Sequence, residues 1–427
     1  MKPHHTSWTD AAAQLDAEDA LASYRELFAF PQRNGQPVAY FCGNSLGLQP
    51  LRAETLISEE LDDWRRFGVE GHFQSRRPWY SYHRWFAEPL AKLVGALPHE
   101  VVAMNTLTVN LHLMMTSFYR PTSERHAILC AGGEFPSDRY AIESQIRLHG
   151  LDPATSMIEI APREGASTLT TEDILEAIRT RGHETALVLF SGVHFYTGQF
   201  FDIASITKAA HDAGAMAGFD LAHAVGNVQL HLHEWDADFA VWCSYKYLNA
   251  GPGAVAGLYV HERYADRADL PRLAGWWGND EATRFSMAHS FVPSHGADGW
   301  QLSNAQVLPL AALMASLEIF ERAGMDRISA KRNLLTGFLE RLLTEVLATR
   351  DDVRIITPSD PAQRGAQLSV HFDRNGRDIY EQLVAHGVIV DWRTPSVIRI
   401  APAPLYTSFA DVVRLTTTLE SLLAVHE

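Results

Sequence analysis

The sequence predicts an α/β protein with a mainly parallel sheet and helices on both faces, followed by a small C-terminal α+β domain. Three observations lead to this class. Short apolar runs without polar alternation are typical of strands buried on both faces. Between them lie segments with apolar residues at helical spacing, which begin near Thr or Asp and close with Gly. Near residue 304 this pattern gives way to two long amphipathic helices and then to shorter segments.

The N-terminal segment is predicted to form a helix followed by a strand and a tight turn. Apolar and aromatic residues recur at steps of three and four from Asp10 to Phe28, which predicts a helix that Pro31 ends. The apolar run VAYFC then enters the turn Gly43-Asn44-Ser45-Leu46-Gly47, where two glycines permit backbone angles that other residues resist. We therefore expect a strand that runs into a tight loop.

Four apolar runs predict strands of the central sheet: AILCAG (Ala127 to Gly132), ALVLFSG (Ala186 to Gly192), GAMAGFD (Gly214 to Asp220) and DFAVWCS (Asp238 to Ser244). The helix patterns TEDILEAIRTRG and DIASITKAAHDAG separate the first three runs. Because parallel strands need crossover connections, this alternation indicates a parallel sheet covered by helices on both sides.

The remainder of the chain has a different organisation. NAQVLPLAALMASLEIFERAG and DRISAKRNLLTGFLERLLTEVLATR predict two long amphipathic helices. After them VRIITP, QLSVHF, VIVDWR and VIRIAP predict strands, RDIYEQLVAHG predicts a helix, and a final helix begins at about Ser408. We therefore divide the chain into an N-terminal helical segment and loop (1–60), a large α/β domain (61–303), and linking helices with a small α+β domain (304–427).

Composition excludes several classes of partner. The chain has 427 residues, with 36 Lys and Arg against 51 Asp and Glu, for a net charge of −15. Such an acidic chain repels nucleic acid and anionic lipid. Its apolar stretches are shorter than the roughly 18 residues of a membrane helix, and MKPHHTSWTD lacks the apolar core of a signal peptide. We expect a cytoplasmic protein whose Cys42, Cys130 and Cys243 are reduced thiols.

Polar residues follow the predicted strands at the point where each strand ends. Ligands of open α/β sheets bind beyond the carboxyl ends of strands. The predicted runs lead into Gly132-Gly133-Glu134-Phe135-Pro136-Ser137-Asp138, Ser191-Gly192-Val193-His194, Asp220-Leu221-Ala222-His223 and Ser244-Tyr245-Lys246. A carboxylate at one strand end and a lysine at another could therefore converge on one ligand.

An aspartate, a lysine, an aromatic face and several hydroxyls together match the needs of pyridoxal phosphate. Its aldehyde forms an imine with a lysine, its ring nitrogen needs an anion to stay protonated, and its phosphate needs N–H and hydroxyl donors. Lys246 and Asp220 supply the first two. A strand-end Asp and a downstream Lys also arise by chance in many α/β folds, so the pairing alone leaves other ligands open.

Longer motifs carry a resemblance to a known family. SGVHFYTGQFFDI, AGFDLAHAVGN, CSYKYLNAGPG, GWWGND, RIAPAPLY, GNSLGLQP, MNTLTVNLH and GEFPSDRYA occur in order along most of the chain. Together they resemble the kynureninase family of fold type I pyridoxal phosphate enzymes. The resemblance implies a seven-stranded type of sheet in the large domain, pyridoxal 5'-phosphate as cofactor, and a homodimer with shared active sites.

The resemblance also implies roles for individual residues. Lys246 matches the Schiff-base lysine, Tyr245 a phosphate contact placed in proton transfer, and Asp220 the carboxylate that faces the ring nitrogen. Asp138 matches a second carboxylate nearby, and Phe135 would stack on the ring. The remaining cofactor contacts, some completed across the dimer interface, are Leu107, Thr108, Pro136, Ser137, Ser191, His223, Trp276 and Asn304.

Substrate contacts and reaction follow from the same resemblance. Arg399 matches the arginine that binds the substrate α-carboxylate, while Ser45, His72 and Asn304 would line the aromatic end of the substrate pocket. The implied reaction is hydrolytic Cβ–Cγ cleavage of L-kynurenine, or of its 3-hydroxy derivative, to anthranilate or 3-hydroxyanthranilate and L-alanine. This chemistry belongs to tryptophan degradation or NAD biosynthesis. Tyr245 would handle protons, which at neutral pH requires a nearby cation or phosphate network.

Four alternatives were weighed against this interpretation. His231, His233, Glu234 and Asp236 lie close together, but without a helical i, i+4 histidine pair they favour a solvated turn, so no metal is expected. A cysteine desulfurase of the same fold needs a reactive cysteine well after the lysine, and no cysteine follows Cys243. An aminotransferase would require a keto acid. A catalytically silent cofactor carrier would have no use for Arg399.

Overall fold

A computed structural model describes residues 3–287 and 289–425 of the chain. The helices are α1 (Pro3–Glu18), α2 (Arg52–Phe67), α3 (Gly71–Gln74), α4 (Ala87–Val94), α5 (Leu107–Phe118), α6 (Pro136–Leu148), α7 (Pro153–Ser156), α8 (Thr171–Arg181), α9 (Ile203–Asp212), α10 (Val307–Ala323), α11 (Met325–Leu347), α12 (Gly376–Ala385) and α13 (Phe409–Val425). None of the described helices is long and apolar enough to cross a membrane.

The strands are β1 (Phe28–Ala29), β2 (Gln32–Arg33), β3 (Gln36–Pro37), β4 (Ala39–Tyr40), β5 (Gln49–Pro50), β6 (Val101–Ala103), β7 (Ala127–Ala131), β8 (Met157–Ile160), β9 (Thr185–Ser191), β10 (Met216–Asp220), β11 (Phe239–Trp242), β12 (Gly257–Val260), β13 (Val353–Ile355), β14 (Leu368–Phe372), β15 (Val388–Ile389), β16 (Asp391–Arg393) and β17 (Val397–Ile400). Short 3₁₀ helices connect several of these elements.

The central sheet has seven strands in the order β6-β12-β11-β10-β9-β7-β8. The neighbours from β11 to β8 run parallel, and β12 is antiparallel to both β11 and β6. Every residue of β7, β9 and β11 is buried, which is why their sequences show no polar alternation. The predicted α/β class, with its mainly parallel sheet, is confirmed.

Two apolar cores flank this sheet. One contains Trp242 and Phe219 together with residues of α8, α9 and α10, and the other contains Phe239 and Leu187 together with residues of α5 and α6. The sheet is therefore covered on both faces, as the alternating sequence pattern predicts. The four predicted strands differ from the observed ones only at their ends.

A second sheet with the order β13-β14-β17-β16 lies in the C-terminal part and is antiparallel throughout. It shares a separate core with α11, α12 and α13, which contains Leu339, Ile398 and Leu419. The predicted C-terminal α+β arrangement is therefore present. The N-terminal segment packs on this unit, because Trp8 of α1 belongs to the same core and donates to Glu345 of α11 at 2.9 Å.

The predicted helix from Asp10 to Phe28 is wrong in its bounds. Helix α1 ends at Glu18, and a separate 3₁₀ helix covers Ala22–Leu27 before β1 begins at Phe28. The Asp19 carboxylate explains the break, because it accepts from the Leu21 N–H at 2.8 Å and pairs with the buried Lys331 amine at 2.6 Å. Such side-chain acceptors compete with a continuous helix.

The predicted strand and tight turn near residue 40 are present. Strand β4 pairs in parallel with β15 of the C-terminal unit, with Ala39 opposite Val388. The chain continues alongside the end of β17, where the Ala401 N–H donates to the Phe41 carbonyl at 2.8 Å. The turn Gly43–Gly47 follows directly. Its position is therefore set by both the C-terminal unit and the central sheet.

Candidate active site

The carboxyl ends of the central strands open into a cleft of about 510 Å³. The loops after β7, β9, β10 and β11 and the first turn of α5 form its wall, as is typical of ligand sites in open α/β sheets. The lining residues are Leu107, Thr108, Glu134, Phe135, Ser137, Asp138, Ser191, Val193, Phe195, Asp220, Ala222, His223, Tyr245 and Lys246.

Lys246 lies in the loop after β11, next to the Gly43–Gly47 turn. The Asn249 N–H donates to the Lys246 carbonyl at 2.9 Å, and the Gly47 N–H donates to the Tyr245 carbonyl at 2.8 Å. A Cβ on Gly47 would come within 2.4 Å of the Lys246 carbonyl oxygen, so this close approach requires glycine. The backbone that carries the lysine is therefore held from two sides.

The carboxyl groups of Asp220 and Asp138 meet in the cleft. Burial raises the pKa of Asp138 well above its usual range, and the facing charge of Asp220 raises it further. Burial also raises the pKa of Asp220, but the Ala222 N–H at 2.7 Å and the charge of Lys246 act in the opposite direction. We infer that Asp138 keeps its proton and donates a hydrogen bond to the Asp220 carboxylate, which remains the anion.

Glu134 adds a third carboxyl group to the cleft. Its Oε1 accepts from both the backbone N–H and the hydroxyl of Ser191, each at 3.2 Å. Burial raises the pKa of Glu134 to about 7, opposed by the Ser191 N–H and reinforced by the charge of Asp220. No role for Glu134 was predicted from the sequence. Its position in the polar stretch that follows the AILCAG strand was the one feature that could have indicated a place in the site.

This shift predicts how the stability of the cofactor-free protein depends on pH. The unfolded chain releases the Glu134 proton near its usual pKa of 4.5, whereas the folded chain keeps it until about 7. Rising pH therefore favours the unfolded state across this interval. Urea unfolding at several pH values measures the free energy of unfolding. Between pH 4.5 and about 7, this free energy should fall less for Glu134→Gln than for the wild-type chain. Parallel profiles for the two chains would contradict the shift.

A second group of lining residues consists of hydrogen-bond donors. Leu107 begins α5 and Pro136 begins α6, so the N-termini of two helices, with the positive ends of their dipoles, lie at the cleft. The Thr108 and Ser137 hydroxyls, in the first turns of these helices, are 3.0 Å apart. Helix N-termini and hydroxyls together favour an anion such as a phosphate group.

The cleft also has an aromatic wall and a buried imidazole. Phe135 is 40% exposed, and its ring meets that of Phe195 edge-on at 5.2 Å. His223 is buried, and its Nδ1 has no hydrogen-bond partner among the described residues. Burial lowers the pKa of His223 well below its usual range, and the charge of Lys246 lowers it further. The ring is therefore neutral and can pair with a ligand.

Tyr245 lines the cleft beside Lys246, and its ring centre is 5.9 Å from the lysine amine. Burial raises the pKa of the Tyr245 phenol, and the nearby Cys243 thiol raises it further. The phenol therefore keeps its proton at neutral pH. It can donate a proton or a hydrogen bond, but within this chain it is a poor base.

The structure thus brings most predicted cofactor contacts to one cleft. These are Leu107, Thr108, Phe135, Ser137, Asp138, Ser191, Asp220, His223, Tyr245 and Lys246. Pro136 begins α6 between two of them without lining the cleft itself. Four further residues line the cleft that were not predicted as site residues, although all of them follow predicted strands: Glu134, Val193, Phe195 and Ala222.

Two predicted substrate contacts, Ser45 and Arg399, do not line the cleft but lie in segments that are hydrogen-bonded to its wall. Ser45 belongs to the turn that reaches Tyr245 through Gly47. Arg399 is buried, donates through Nη1 to the Phe195 carbonyl at 2.8 Å, and pairs through Nη2 with Asp391. The Nε of Arg399 has no hydrogen-bond partner among the described residues. The guanidinium therefore keeps donor capacity beside the cleft.

The other predicted contacts, His72, Trp276 and Asn304, do not line this cleft of the described chain. His72 and Trp276 belong instead to a connected group of rings that we term the aromatic surface: His72, Phe73, Tyr80, Trp276 and Phe285. Phe73, Trp276 and Phe285 are exposed, and His72 and Tyr80 are half-buried. Asn304 is exposed two residues after Leu302, whose backbone packs against Gly275 beside Trp276.

The histidines of the segment 231–236 do not lie together in space as their order in the sequence suggests. His233 pairs with the buried Glu100 at 3.0 Å and stacks on His261, whereas His231 only approaches Glu234 at 3.9 Å. The Oε1 of Glu100 accepts from the Glu262 N–H, and the Nδ1 of His261 accepts from the Arg263 N–H. These lone pairs are engaged in hydrogen bonds, so we assign no metal to this cluster.

Known proteins similar to this chain share its sequence over nearly its full length. A family model described as the kynureninase C-terminal domain matches residues 328–419. A kynureninase of Myxococcus xanthus is 57% identical over 410 residues, which cover 96% of each chain. A kynureninase of Xanthomonas campestris is 55% identical over 414 residues, covering 96% of this chain and 97% of the relative.

Solved structures with the same fold are far less similar in sequence. The apo cysteine desulfurase of Thermococcus onnurineus has a TM-score of 0.74 at 18% identity and covers 91% of this chain and 95% of its own. A C-DES variant with glycine covalently linked to its PLP cofactor has a TM-score of 0.75 at 17% identity, covering 90% and 96%. At this identity the likeness concerns the fold alone.

Proposed function

The chain belongs to the kynureninase family, and from this premise we propose that its cleft binds pyridoxal phosphate and hydrolyses the Cβ–Cγ bond of L-kynurenine or its 3-hydroxy derivative. The products would be anthranilate or 3-hydroxyanthranilate and L-alanine. One observation carries the proposal: Lys246 and Asp220, 26 residues apart in sequence, line the same cleft with a second carboxyl and an aromatic face.

The cleft residues fit the cofactor chemically. Asp220, held as the anion, suits a protonated ring nitrogen, and Phe135 offers a face for the ring. The donors at the starts of α5 and α6 suit the phosphate. The unpartnered Nδ1 of His223 is a further polar group that a ligand would satisfy. When bound, the cofactor supplies an electron sink for negative charge at the substrate α-carbon.

Lys246 has two roles in this proposal. Its amine would hold the cofactor through the aldehyde group, and in its free form the same amine would take the proton from the substrate α-carbon. The neighbouring Tyr245 phenol keeps its proton, because burial raises its pKa. We therefore assign Tyr245 a donor role toward the substrate carbonyl or toward Cβ, the carbon that receives the electrons of the broken Cβ–Cγ bond. A group other than Tyr245 must therefore act as the base that activates water.

Arg399 would bind the α-carboxylate of the substrate. Its buried guanidinium is fixed by Asp391 and the Phe195 carbonyl, and its Nε remains without a partner among the described residues. Because Arg remains charged even when buried, it suits a carboxylate that loses its water on binding. Ser45 lies on the neighbouring turn and would face the other end of the substrate.

We propose a homodimer in which the aromatic surface of one chain completes the cleft of the other. Phe73 is 65% exposed and Phe285 57% exposed, although their rings pack on Tyr80 at 5.6 and 5.8 Å. Exposed aromatic clusters of this kind typically mark interaction sites. The surface carries His72 and Trp276, which the family places in the active site although they lie away from the cleft of their own chain.

Mixing two inactive variants tests this arrangement. If Trp276 acts in the partner's cleft, Lys246→Ala and Trp276→Ala chains should regain about a quarter of wild-type activity after unfolding and joint refolding, because half the dimers are mixed and each has one intact site. Lys246→Ala mixed with Asp220→Ala is the control and should stay inactive, since both residues line the same cleft. Failure of the first mixture to regain activity would contradict the shared site.

A product assay tests the proposed reaction. Wild-type protein supplied with pyridoxal phosphate and L-kynurenine should release fluorescent anthranilate and L-alanine without any keto acid. Dependence on a keto acid would indicate an aminotransferase, and an imine absorbance band without product would indicate a cofactor carrier. A desulfurase is disfavoured because all three cysteines are buried, and burial raises the pKa of each thiol.

The remaining assignments follow from the same reaction. We propose that the protein acts in the cytoplasm, in tryptophan degradation or NAD biosynthesis.

We also propose the division into residues 1–60, 61–303 and 304–427. The separate core of the C-terminal unit includes α11 from Leu335 onward, whereas α10 packs in the core of the central sheet, so α10 is a linking helix that lies on the large domain. Residues 1–60 pair with that unit through β4 and β15, so the first segment is an extension of it in space.

A further inference from the structure

Glu134 and Ser191 connect the ends of two neighbouring strands. Ser191 ends β9 and lies opposite Asp220 in the parallel register of β9 and β10. Glu134 follows β7 on the other side of β9, and its Oε1 accepts two hydrogen bonds from Ser191. Two carboxylates thus flank one serine, and all three residues line the cleft.

This geometry fixes the polarity of the Ser191 hydroxyl. A serine hydroxyl has one proton to donate and two lone pairs that accept. Because the proton of Ser191 is directed to Glu134, only lone pairs remain for a ligand in the cleft. Asp220 is also an acceptor when ionised. The cleft wall formed by β9 and β10 therefore presents acceptors to whatever binds there.

We propose that Glu134 is a positioning residue that orients the Ser191 hydroxyl as an acceptor toward the bound cofactor. This inference rests on the proposed function, because a protonated pyridine ring is the ligand group that an acceptor wall recognises. Glu134 acts through Ser191 and is not itself a catalytic residue. Without the Glu134 carboxylate, the Ser191 hydroxyl can rotate so that its proton points into the cleft. Two donors, this hydroxyl and the protonated edge of the ring, would then face each other, which weakens binding.

The test measures the affinity of the cofactor-free protein for pyridoxal phosphate by absorbance titration. Glu134→Ala should bind about tenfold more weakly than wild type, the loss expected when a hydrogen bond to a charged group is removed. Glu134→Gln should stay within about threefold, because its amide oxygen can accept the same two hydrogen bonds. Glu172→Ala, at an exposed position in the first turn of α8, is the matched control and should match wild type.

A double variant separates positioning from a general structural effect. If Glu134 acts through Ser191, Glu134→Ala combined with Ser191→Ala should bind no more weakly than Ser191→Ala alone. Fully additive losses, or wild-type affinity in Glu134→Ala, would overturn the inference. Should Glu134→Ala fail to fold by circular dichroism, Glu134→Asp takes its place with the same expectation, because its carboxyl is one methylene too short to reach Ser191.

The same titration distinguishes this inference from the proposed function. If the wild-type protein does not bind pyridoxal phosphate, the proposed function is wrong and the role of Glu134 falls with it. If wild type binds the cofactor and forms a borohydride-stable adduct while the Glu134 variants bind equally well, only the inference is overturned.

Discussion

Replacing Lys246 with alanine is expected to lower anthranilate formation by at least about 1,000-fold, the largest effect of any single substitution in this chain. The variant loses the amine that holds the cofactor and the base that takes the α-proton, and general-base catalysis alone contributes roughly 100- to 10,000-fold. Product fluorescence measures the rate. Mass spectrometry after borohydride reduction measures the attachment, which should disappear from the peptide that contains position 246.

The control for this substitution is Lys208→Ala. Lys208 is exposed on α9, where its amine pairs with the Asp212 carboxylate of the next turn at 2.6 Å and with no other carboxylate of residues 3–287 and 289–425. Exposed ion pairs of this kind contribute little to stability, so Lys208→Ala should keep wild-type turnover. Equal rates for Lys246→Ala and wild type would refute the assignment of Lys246 and the proposed mechanism.

Replacing Asp220 with asparagine is expected to lower kcat on the order of 100-fold or more. Removing one partner of a buried charge pair costs about 2–5 kcal/mol, and the protonated ring nitrogen would lose its anion. The ring then withdraws electrons less strongly from the α-carbon. Steady-state kinetics should show the loss in kcat, while KM for kynurenine changes little because Arg399 still binds the carboxylate.

Asp138→Asn gives the matched comparison. Because burial and the facing Asp220 keep Asp138 protonated, an amide N–H can replace its hydroxyl as the donor to Asp220. We therefore expect a loss of about tenfold or less, clearly smaller than for Asp220→Asn. The reverse order of effects would mean that Asp138, and not Asp220, is the ionised member of the pair.

The sequence predicted four of the seven central strands, β7, β9, β10 and β11, because these are almost entirely buried and their apolar composition marks them. The other three, β6, β8 and β12, were not predicted, and β8 is only partly buried. AILCAG and ALVLFSG match β7 and β9 to within one residue at each end. The N-terminal helix was wrong because its apolar spacing continues through Asp19, whose side chain forms a hydrogen bond and an ion pair that only the folded chain contains. The spacing of apolar residues along the segment does not indicate such tertiary partners.

The site was predictable where its residues lie at or shortly after the ends of strands, as Lys246, Asp220 and Ser191 do. Glu134 occupies an equivalent position, but its role depends on the hydrogen bonds to Ser191, which no spacing in the sequence indicates. His72 and Trp276 posed a different problem. Their sequence motifs point to the active site, whereas their own chain places them on an exposed surface, so a single chain does not contain the complete pocket that we propose.

The pairing of β4 with β15 has a mechanical consequence. Because the chain from β4 continues beside the end of β17, the turn that carries Ser45 is attached to the strand that carries Arg399. The same turn is also attached to the lysine loop, since the Gly47 N–H donates to the Tyr245 carbonyl, and Arg399 donates to the Phe195 carbonyl of the cleft wall. The two ends of a bound amino acid would therefore meet contacts whose spacing is fixed before binding.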